Sequence, residues 1–142
     1  EEQPRIFDWM ALHRRQPPPK VMKYESLRQC DHQFYWMSAD DLPRSVVLPQ
    51  PQGSNEPIRL MKIQGQINPG GEIGNIISIS SPSKRHTIWI DPEQVDLTRR
   101  VRIRVNQTQR FNQFIEQDIG ATLDDFYRRG DRQRIYAAKM EL

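Results

Sequence analysis

The hydrophobic and polar positions of the chain follow two different periods, one on each side of a run of three prolines. Before the prolines, in residues 4–15, the apolar side chains that occur among charged ones are Ile6, Phe7, Trp9, Met10 and Leu12. This spacing predicts a short helix with a broad apolar face. Because proline lacks an amide donor and favours the polyproline II conformation, residues 17–19 are expected to end that helix and to form a stiff spacer. The pattern therefore places a boundary between residues 1–16 and 20–142.

After the prolines, apolar and polar positions alternate over short stretches that turn-forming residues separate, as in a β-sandwich or barrel. About eight strands are expected from this pattern. They cover residues 20–26, 33–38, 58–67, 74–80, 86–90, 100–106, 109–116 and 134–142. In the clearest one, 100–106, Val101, Ile103 and Val105 share one face and are expected to be buried. Arginines at 100, 102 and 104 share the other face, as in a half-exposed antiparallel strand.

The remaining segments carry turn and helix signals. Residues 40–57 are rich in proline and polar turn formers, which predicts a long surface loop, and 68–71 reads as a turn between strands. A second helix is predicted from Thr122, with Asp125 completing an imperfect capping box and Gly130 ending it. The expected fold is a mostly β, antiparallel β-sandwich of immunoglobulin-like or fibronectin-like outline, with an N-terminal helix and a short helix near the C-terminus.

The composition indicates a globular domain with a polar surface. Apolar residues make up 36% of the 142 positions and the formal net charge is +3, but three tryptophans and five phenylalanines supply large core side chains. No apolar run reaches the roughly 20 residues that a membrane-spanning helix needs, so a soluble protein is expected. The compartment stays open, and a secreted or periplasmic location would follow only from a signal peptide on a parent protein.

The residues that could carry chemistry are scattered. His13, His32 and His86 fall in three separate segments without metal-ligand spacing, and Cys30 is the only cysteine. Adjacent Cys30, Asp31 and His32 cannot all face one point in an extended segment. The carboxylates that could pair are Asp40, Asp41, Asp118, Asp124 and Asp125. Because neighbouring acids diverge along a strand or helix, and because no G-x-S-x-G or phosphate-binding glycine motif occurs, no catalytic, metal or cofactor site is predicted.

Two arginine clusters are the strongest nucleic-acid signal in the chain. They comprise Arg99, Arg100, Arg102 and Arg104, followed later by Arg128, Arg129, Arg132 and Arg134. The first cluster is explained equally well as the solvent-exposed face of a sheet, on which the charges discourage edge-to-edge pairing with another sheet. The exposed face of residues 100–106 offers no stacking aromatic side chain, so only weak, nonspecific nucleic-acid binding is expected from it.

Several stretches along most of the chain resemble one protein family. Residues 5–15 resemble the closing helix of the catalytic domain of bacterial α/β-hydrolases of the esterase and prolyl-oligopeptidase-like kind. The later stretches resemble the β-rich C-terminal domain that some of these proteins carry. They are Phe34-Tyr35-Trp36-Met37, Ile88-Trp89-Ile90-Asp91, Val95-Asp96-Leu97, Val101-Arg102-Ile103-Arg104-Val105 and Arg129-Gly130-Asp131-Arg132.

The resemblance implies an accessory domain fragment cut downstream of a serine-hydrolase triad. No triad residue can be carried over to this chain, since His13 lies inside the helix motif rather than before it. The implied role is non-catalytic: a structural or interaction domain that packs on the catalytic hydrolase domain of the same polypeptide and shapes substrate access or assembly. The implied partners are that domain and, through the N-terminal helix, a second copy of the chain, with no cofactor, no membrane and no specific nucleic acid.

A carbohydrate- or surface-binding module is the alternative function, because β-sandwiches often present aromatic side chains on one face. Aromatic residues at strand positions are nevertheless more often part of a core. The candidate interaction surface from both hypotheses consists of Ile6, Phe7, Trp9, Met10, Tyr35, Trp36 and Trp89.

Overall fold

A computed structural model describes residues 6, 8, 9, 12, 16–26, 32–43, 60–70, 74–131 and 134–142. Most of the predicted N-terminal helix, residues 44–57 of the predicted loop and residues 58–59 of the predicted strand 58–67 lie outside the described residues. The elements are, in chain order, β1 (Val21–Ser26), β2 (Gln33–Phe34), β3 (Met37–Asp40), β4 (Met61–Asn68), β5 (Asn75–Ser80), β6 (Arg85–Ile90), β7 (Val101–Val105), β8 (Thr108–Gln113), α1 (Ile119–Arg129) and β9 (Ala138–Glu141). None of the described helical residues forms a helix long and apolar enough to cross a membrane.

The strands form two sheets around a shared core. One sheet has the order β1-β4-β5-β7-β8 and the other has the order β2-β3-β6-β9. A single hydrophobic cluster contains side chains from both sheets, among them Met22, Ile63 and Ile103 from the first and Met37 and Ile88 from the second. The mostly β, two-sheet prediction is therefore confirmed.

The prediction that all strands pair antiparallel is wrong at one place. β5 and β7 run parallel, with Ile77 opposite Ile103, while the other strand pairs are antiparallel. The reason is the connection: β6, which separates these strands in sequence, belongs to the other sheet, so the chain crosses over and returns beside β5 in the same direction. Alternation along β7 reports that one face is buried, and it carries no information on the direction of the neighbouring strand.

The predicted faces of β7 are confirmed. Val101, Ile103 and Val105 are buried, whereas Arg104 is exposed and Arg102 is half-buried. A shift of one residue would have placed arginine side chains in the core, which explains why this register is strongly specified.

The stretch 33–38, predicted as one strand, contains a tight turn instead. β2 pairs with β3 through Gln33 opposite Ser38 and Phe34 opposite Met37, so Tyr35 and Trp36 form the two-residue connection. Tyr35 has a φ of 47°, a left-handed conformation that glycine or asparagine adopts more readily. Because neither residue is present there, the sequence carries no recognisable turn signal at this point.

Trp36 then occupies the middle of the core rather than an exposed strand face. Its side chain has no solvent exposure, and its indole Nε1 donates a hydrogen bond to the carbonyl of Pro19 at 3.0 Å. Gly65 on β4 makes room for the ring, since a Cβ atom added there would lie 2.7 Å from the tryptophan Cη2. Glycine is therefore required opposite Trp36 for steric reasons.

The three prolines pack on the β-domain. Pro18 is buried, and its carbonyl accepts a hydrogen bond of 2.7 Å from Nε2 of Gln94. Together with the bond from Trp36 to Pro19, this contact fixes the segment along one end of the two sheets. The stiffness expected of consecutive prolines reduces the entropy lost when this segment docks.

The predicted start of the C-terminal helix is wrong, and its predicted end is confirmed. α1 begins at Ile119, and its N-cap is Asp118, whose side chain accepts a hydrogen bond of 2.8 Å from the amide of Gly120. Gly130 ends the helix with a φ of 65°, as expected of a left-handed cap. Asp125 lies too far along the helix to act in its first turn, and it has a different function.

Candidate functional site

The face of α1 that packs on the domain contains a buried charge. Only Ala121 and Asp125 of the helix are buried, and Asp125 has no solvent exposure at all. Its carboxylate accepts hydrogen bonds from Nε and Nη2 of Arg129, and the amide of Tyr136 donates to the same group at 3.1 Å. A second guanidinium, that of Arg128, lies 3.7 Å away. A buried charge is thus paired and hydrogen-bonded from several sides, which is the condition for burying it.

Aromatic rings beneath the helix complete this anchor. The guanidinium of Arg128 lies 3.9 Å from the centre of the Trp89 ring, and that of Arg129 lies 4.3 Å from the centre of the Tyr136 ring. Burial raises the pKa of Tyr136 to about 12, so its hydroxyl stays neutral under the two guanidinium groups. The hydrogen bond with Asp125 raises the pKa of Arg129. Two cation–π contacts with rings outside the helix, together with the hydrogen bond from the Tyr136 amide to Asp125, therefore set the orientation of α1.

The outer face of α1 is apolar. Ile119, Leu123 and Tyr127 are spaced four residues apart, and their side chains are 78%, 51% and 84% exposed. Residues four apart lie above one another on a helix surface, so these three form one stripe, hereafter called the outer stripe. Asp124, which follows Leu123 in the chain, is also exposed. A surface helix ordinarily buries its apolar side, whereas α1 buries a charged residue and exposes these three apolar side chains.

Two of the predicted surface aromatics belong to the core instead. Trp36 packs over Gly65, and Trp89 is 5% exposed beneath Arg128 and Lys139, so neither can contribute to an exposed aromatic surface. Tyr35 is exposed at the β2–β3 turn, 6.4 Å from the ring of Tyr24. Trp36 faces the core from the short β2–β3 hairpin, and Trp89 lies beneath the Arg128 side chain of α1. Alternation along the strands alone does not reveal either position.

The N-terminal candidates are only partly described. Ile6 and Trp9 are both more than half exposed, as is Leu12. Phe7 and Met10 lie outside the described residues. The exposed side chains keep this segment among the candidate contact surfaces of the domain.

The possible catalytic groups have structural partners or lie apart. His13, Cys30 and Asp31 are outside the described residues. His32 Nε2 lies 3.9 Å from one carboxylate oxygen of Asp40. The other carboxylate oxygen of Asp40 accepts a hydrogen bond from the hydroxyl of Thr87. Within the part of the chain that the structure describes, no group of three His, Cys, Asp or Glu side chains is arranged to hold a metal ion.

The other titratable groups serve the fold. Asp118 caps α1, Asp124 pairs with Lys139 at 3.6 Å, and Asp125 anchors the helix. His86 is buried, and no described residue offers its Nε2 a hydrogen bond. Desolvation lowers the pKa of this histidine, with the nearby charges of Asp40 and Arg110 acting in opposite directions.

A groove that sequence reasoning did not identify crosses the outer face of the first sheet. It has a volume of about 730 Å³ and lies over β1, β4, β5 and β7. The polar side chains that line it are Lys23, Gln64, Gln66, Ser78, Ser80, Arg104, Asn106 and Gln107. The signal in the sequence was the alternation of β4 and β5, whose outward positions include Gln64, Gln66, Ser78 and Ser80. Without the strand order these positions could not be assembled into one surface.

Comparison of the chain with protein-family models, with curated proteins and with solved structures finds no match. The outer stripe of α1 and the polar groove are thus the two features of the described residues from which a function can be inferred.

Proposed function

We propose that this chain is a non-catalytic interaction domain that packs against an α/β-hydrolase domain of the same polypeptide through the outer stripe of α1. The observation that carries this proposal is the apolar outer side of the helix: Ile119, Leu123 and Tyr127 are exposed, whereas Asp125 is buried. The two sheets form a sandwich of immunoglobulin-like outline that holds this helix in place.

The energetics of α1 favour a partner on its outer side. The hydrogen bond from the Tyr136 amide to the Asp125 carboxylate, and the contacts of Arg128 and Arg129 with the Trp89 and Tyr136 rings, fix the rotation of the helix about its own axis. Any rotation that buried the outer stripe would break these contacts, because Trp89 and Tyr136 lie outside the helix. Exposed apolar groups of this size beside polar ones are typical of protein interaction sites, because removing them from water is the main favourable term in association.

Two further observations support a neighbouring hydrolase domain as the occupant. The resemblance of residues 5–15 and of the later stretches to hydrolases with a C-terminal β-domain identifies the kind of neighbour. Asp124, which follows Leu123 in the helix, is exposed and pairs with Lys139 at 3.6 Å, so charged side chains beside the stripe favour a partner surface with a polar rim. Structural roles for Asp118, Asp124 and Asp125 fit a domain that carries no catalytic machinery of its own.

Hydrogen exchange on a longer polypeptide tests the proposal. The native reading frame is extended upstream of residue 1, and amide exchange over 119–130 is compared between the longer protein and this chain alone. We expect slower exchange in the longer protein, since the docked domain covers the helix. The Leu123→Ser and Tyr127→Ser double variant should lose the added protection. Phe114→Ser, which changes another exposed apolar side chain outside the stripe, is the control and should keep it.

Three outcomes would overturn the proposal. One is an upstream reading frame without a G-x-S-x-G element, which would remove the hydrolase. Another is equal exchange in the two proteins. The third is protection that appears in the isolated chain as its concentration rises, because that result assigns the outer stripe to a second copy.

A further inference from the structure

The groove on the first sheet is built from two ordered rows of outward-facing side chains. In the first row, Lys23, Gln64 and Ser80 lie opposite one another on β1, β4 and β5. Their sequence neighbours face the core, as expected of strands with one buried face. The row is therefore fixed by strand register, and it does not depend on the conformation of a loop.

The second row runs parallel to the first. Gln66 lies opposite Ser78, and Ser78 lies opposite Arg104 on β7. Val21 lies opposite Gln66 at the other end of the row. With strands about 4.8 Å apart, four such positions span about 14 Å, which suits a short oligomeric ligand better than a single small molecule.

The rim of the groove is held rigidly. The β7–β8 turn is formed by Asn106 and Gln107, both with positive φ. The amide of Asn106 donates to the carbonyl of Ile79 at 2.8 Å, and its side chain exchanges two hydrogen bonds with the backbone of Ser81, at 3.0 and 2.9 Å. A turn fixed in this way loses little entropy when a ligand binds beside it.

The chemistry of the lining is selective. Two amides from β4 and two hydroxyls from β5 offer both donors and acceptors, which match a ligand rich in hydroxyl groups. Lys23 and Arg104 add two positive charges, and none of the described acidic residues lines the groove. Because a guanidinium binds a carboxylate through two parallel hydrogen bonds, a ligand with carboxylates has the strongest complement here.

From these observations we infer that the outer face of the first sheet binds an acidic oligosaccharide, a glycan whose sugar units carry carboxylates. Arg104 and Lys23 bind the carboxylates, and Gln64, Gln66 and Ser78 hydrogen-bond the sugar hydroxyls. The inference does not depend on docking by α1, because α1 contacts β9 of the second sheet. Either proposal can fail without the other.

The surface fits an acidic glycan better than it fits a nucleic acid or a neutral glycan. Bases of single-stranded nucleic acids stack on aromatic side chains, and none lines this groove. A neutral glycan would leave both cations without a partner. Among the described residues, no aromatic side chain lines the groove to form the platform expected of many sugar-binding sandwiches, so recognition has to come from hydrogen bonds and charge.

Calorimetric titration of the whole chain tests the inference. The probe is tetragalacturonate, and the comparison ligands are a neutral tetrasaccharide, cellotetraose, and single-stranded oligothymidylate of matched charge. We expect saturable binding of tetragalacturonate alone. Arg104→Gln should weaken this binding about tenfold or more, as expected for loss of a charge-assisted hydrogen bond. Gln66→Ala should weaken it by a smaller factor.

Arg100→Gln is the matched control. Arg100 is exposed, precedes β7 and lies about 13 Å along the chain from Arg104, outside the groove lining. Its loss should leave tetragalacturonate affinity unchanged if the groove is the site. Equal weakening by Arg100→Gln and Arg104→Gln would overturn the inference in favour of diffuse charge attraction. Equal binding of cellotetraose, tighter binding of oligothymidylate, or no binding of tetragalacturonate at millimolar concentration would also overturn it.

Discussion

Asp125 and Arg129 form an ion pair one helical turn apart, and the carboxylate partner has no contact with solvent. Such a pair is energetically asymmetric. Breaking it by removing one partner leaves a desolvated charge, whereas the intact pair contributes little beyond what apolar packing would supply. Because both partners lie on α1, the pair alone does not orient the helix; the hydrogen bond from the Tyr136 amide to the same buried carboxylate determines which side of α1 faces outward.

Asp125→Asn should destabilise the domain by about 3 kcal/mol, because the guanidinium of Arg129 loses its charged partner while the amide of Tyr136 loses a charged acceptor. Urea unfolding followed by tryptophan fluorescence measures this change. Asp124→Asn is the control, since Asp124 is exposed and its pairing with Lys139 is worth at most about 0.5 kcal/mol. Similar losses in both variants would contradict the anchoring role of Asp125.

Gly65→Ala should cost about 1 to 3 kcal/mol, because the new methyl group would overlap the Trp36 ring and force the packed core to shift. The companion variant is Trp36→Phe, which shortens the side chain that the methyl group meets. In the double variant the cost of Gly65→Ala should fall, giving a coupling free energy of at least about 0.5 kcal/mol in a double-mutant cycle. Additive effects would show that the close approach does not limit substitution.

The two faces of β7 should differ sharply in their tolerance of substitution. Ile103→Ala should destabilise the domain by about 2 to 5 kcal/mol, since it removes a fully buried side chain. Arg104→Ala should stay within about 0.5 kcal/mol, as expected of an exposed position. Thermal unfolding by circular dichroism measures both. Arg104 serves this comparison better than Arg102, which is half-buried with its Nε atom enclosed.

Local patterns predicted most of the strands because burial of one sheet face leaves a period of two in the sequence. The register of Val101, Ile103 and Val105 is the clearest example. The end of α1 was predictable for a similar reason, since Gly130 adopts a left-handed conformation that few other residues tolerate.

Features that depend on contacts between distant residues could not be predicted in this way. The β5–β7 pairing results from a crossover through the second sheet, and the groove exists only because Gln66, Ser78 and Arg104 come from three strands. Asp125 was misassigned to a helix start because the sequence does not reveal that an arginine and the backbone amide of Tyr136 will bind its carboxylate. The tight turn at Tyr35 was missed because its residue type is uncommon there.

The buried histidine should make stability depend on pH in mildly acidic solution. Desolvation lowers the pKa of His86 in the folded domain, with Asp40 acting to raise it and Arg110 to lower it, so the unfolded chain takes up a proton at a higher pH than the folded one. The contribution of His86 to the free energy of unfolding is fully present above its pKa in the unfolded chain, which is about 6.5. This contribution is lost as the pH falls from there towards the lower pKa of His86 in the folded domain. Urea unfolding at a series of pH values between about 7.5 and 5.5 should show a free energy of unfolding that decreases with falling pH. His86→Leu should flatten this dependence while Asp40 and Arg110 remain in place. An unchanged slope in that variant would show that other groups cause the acid sensitivity, and that His86 is protonated as easily in the folded domain as in the unfolded chain.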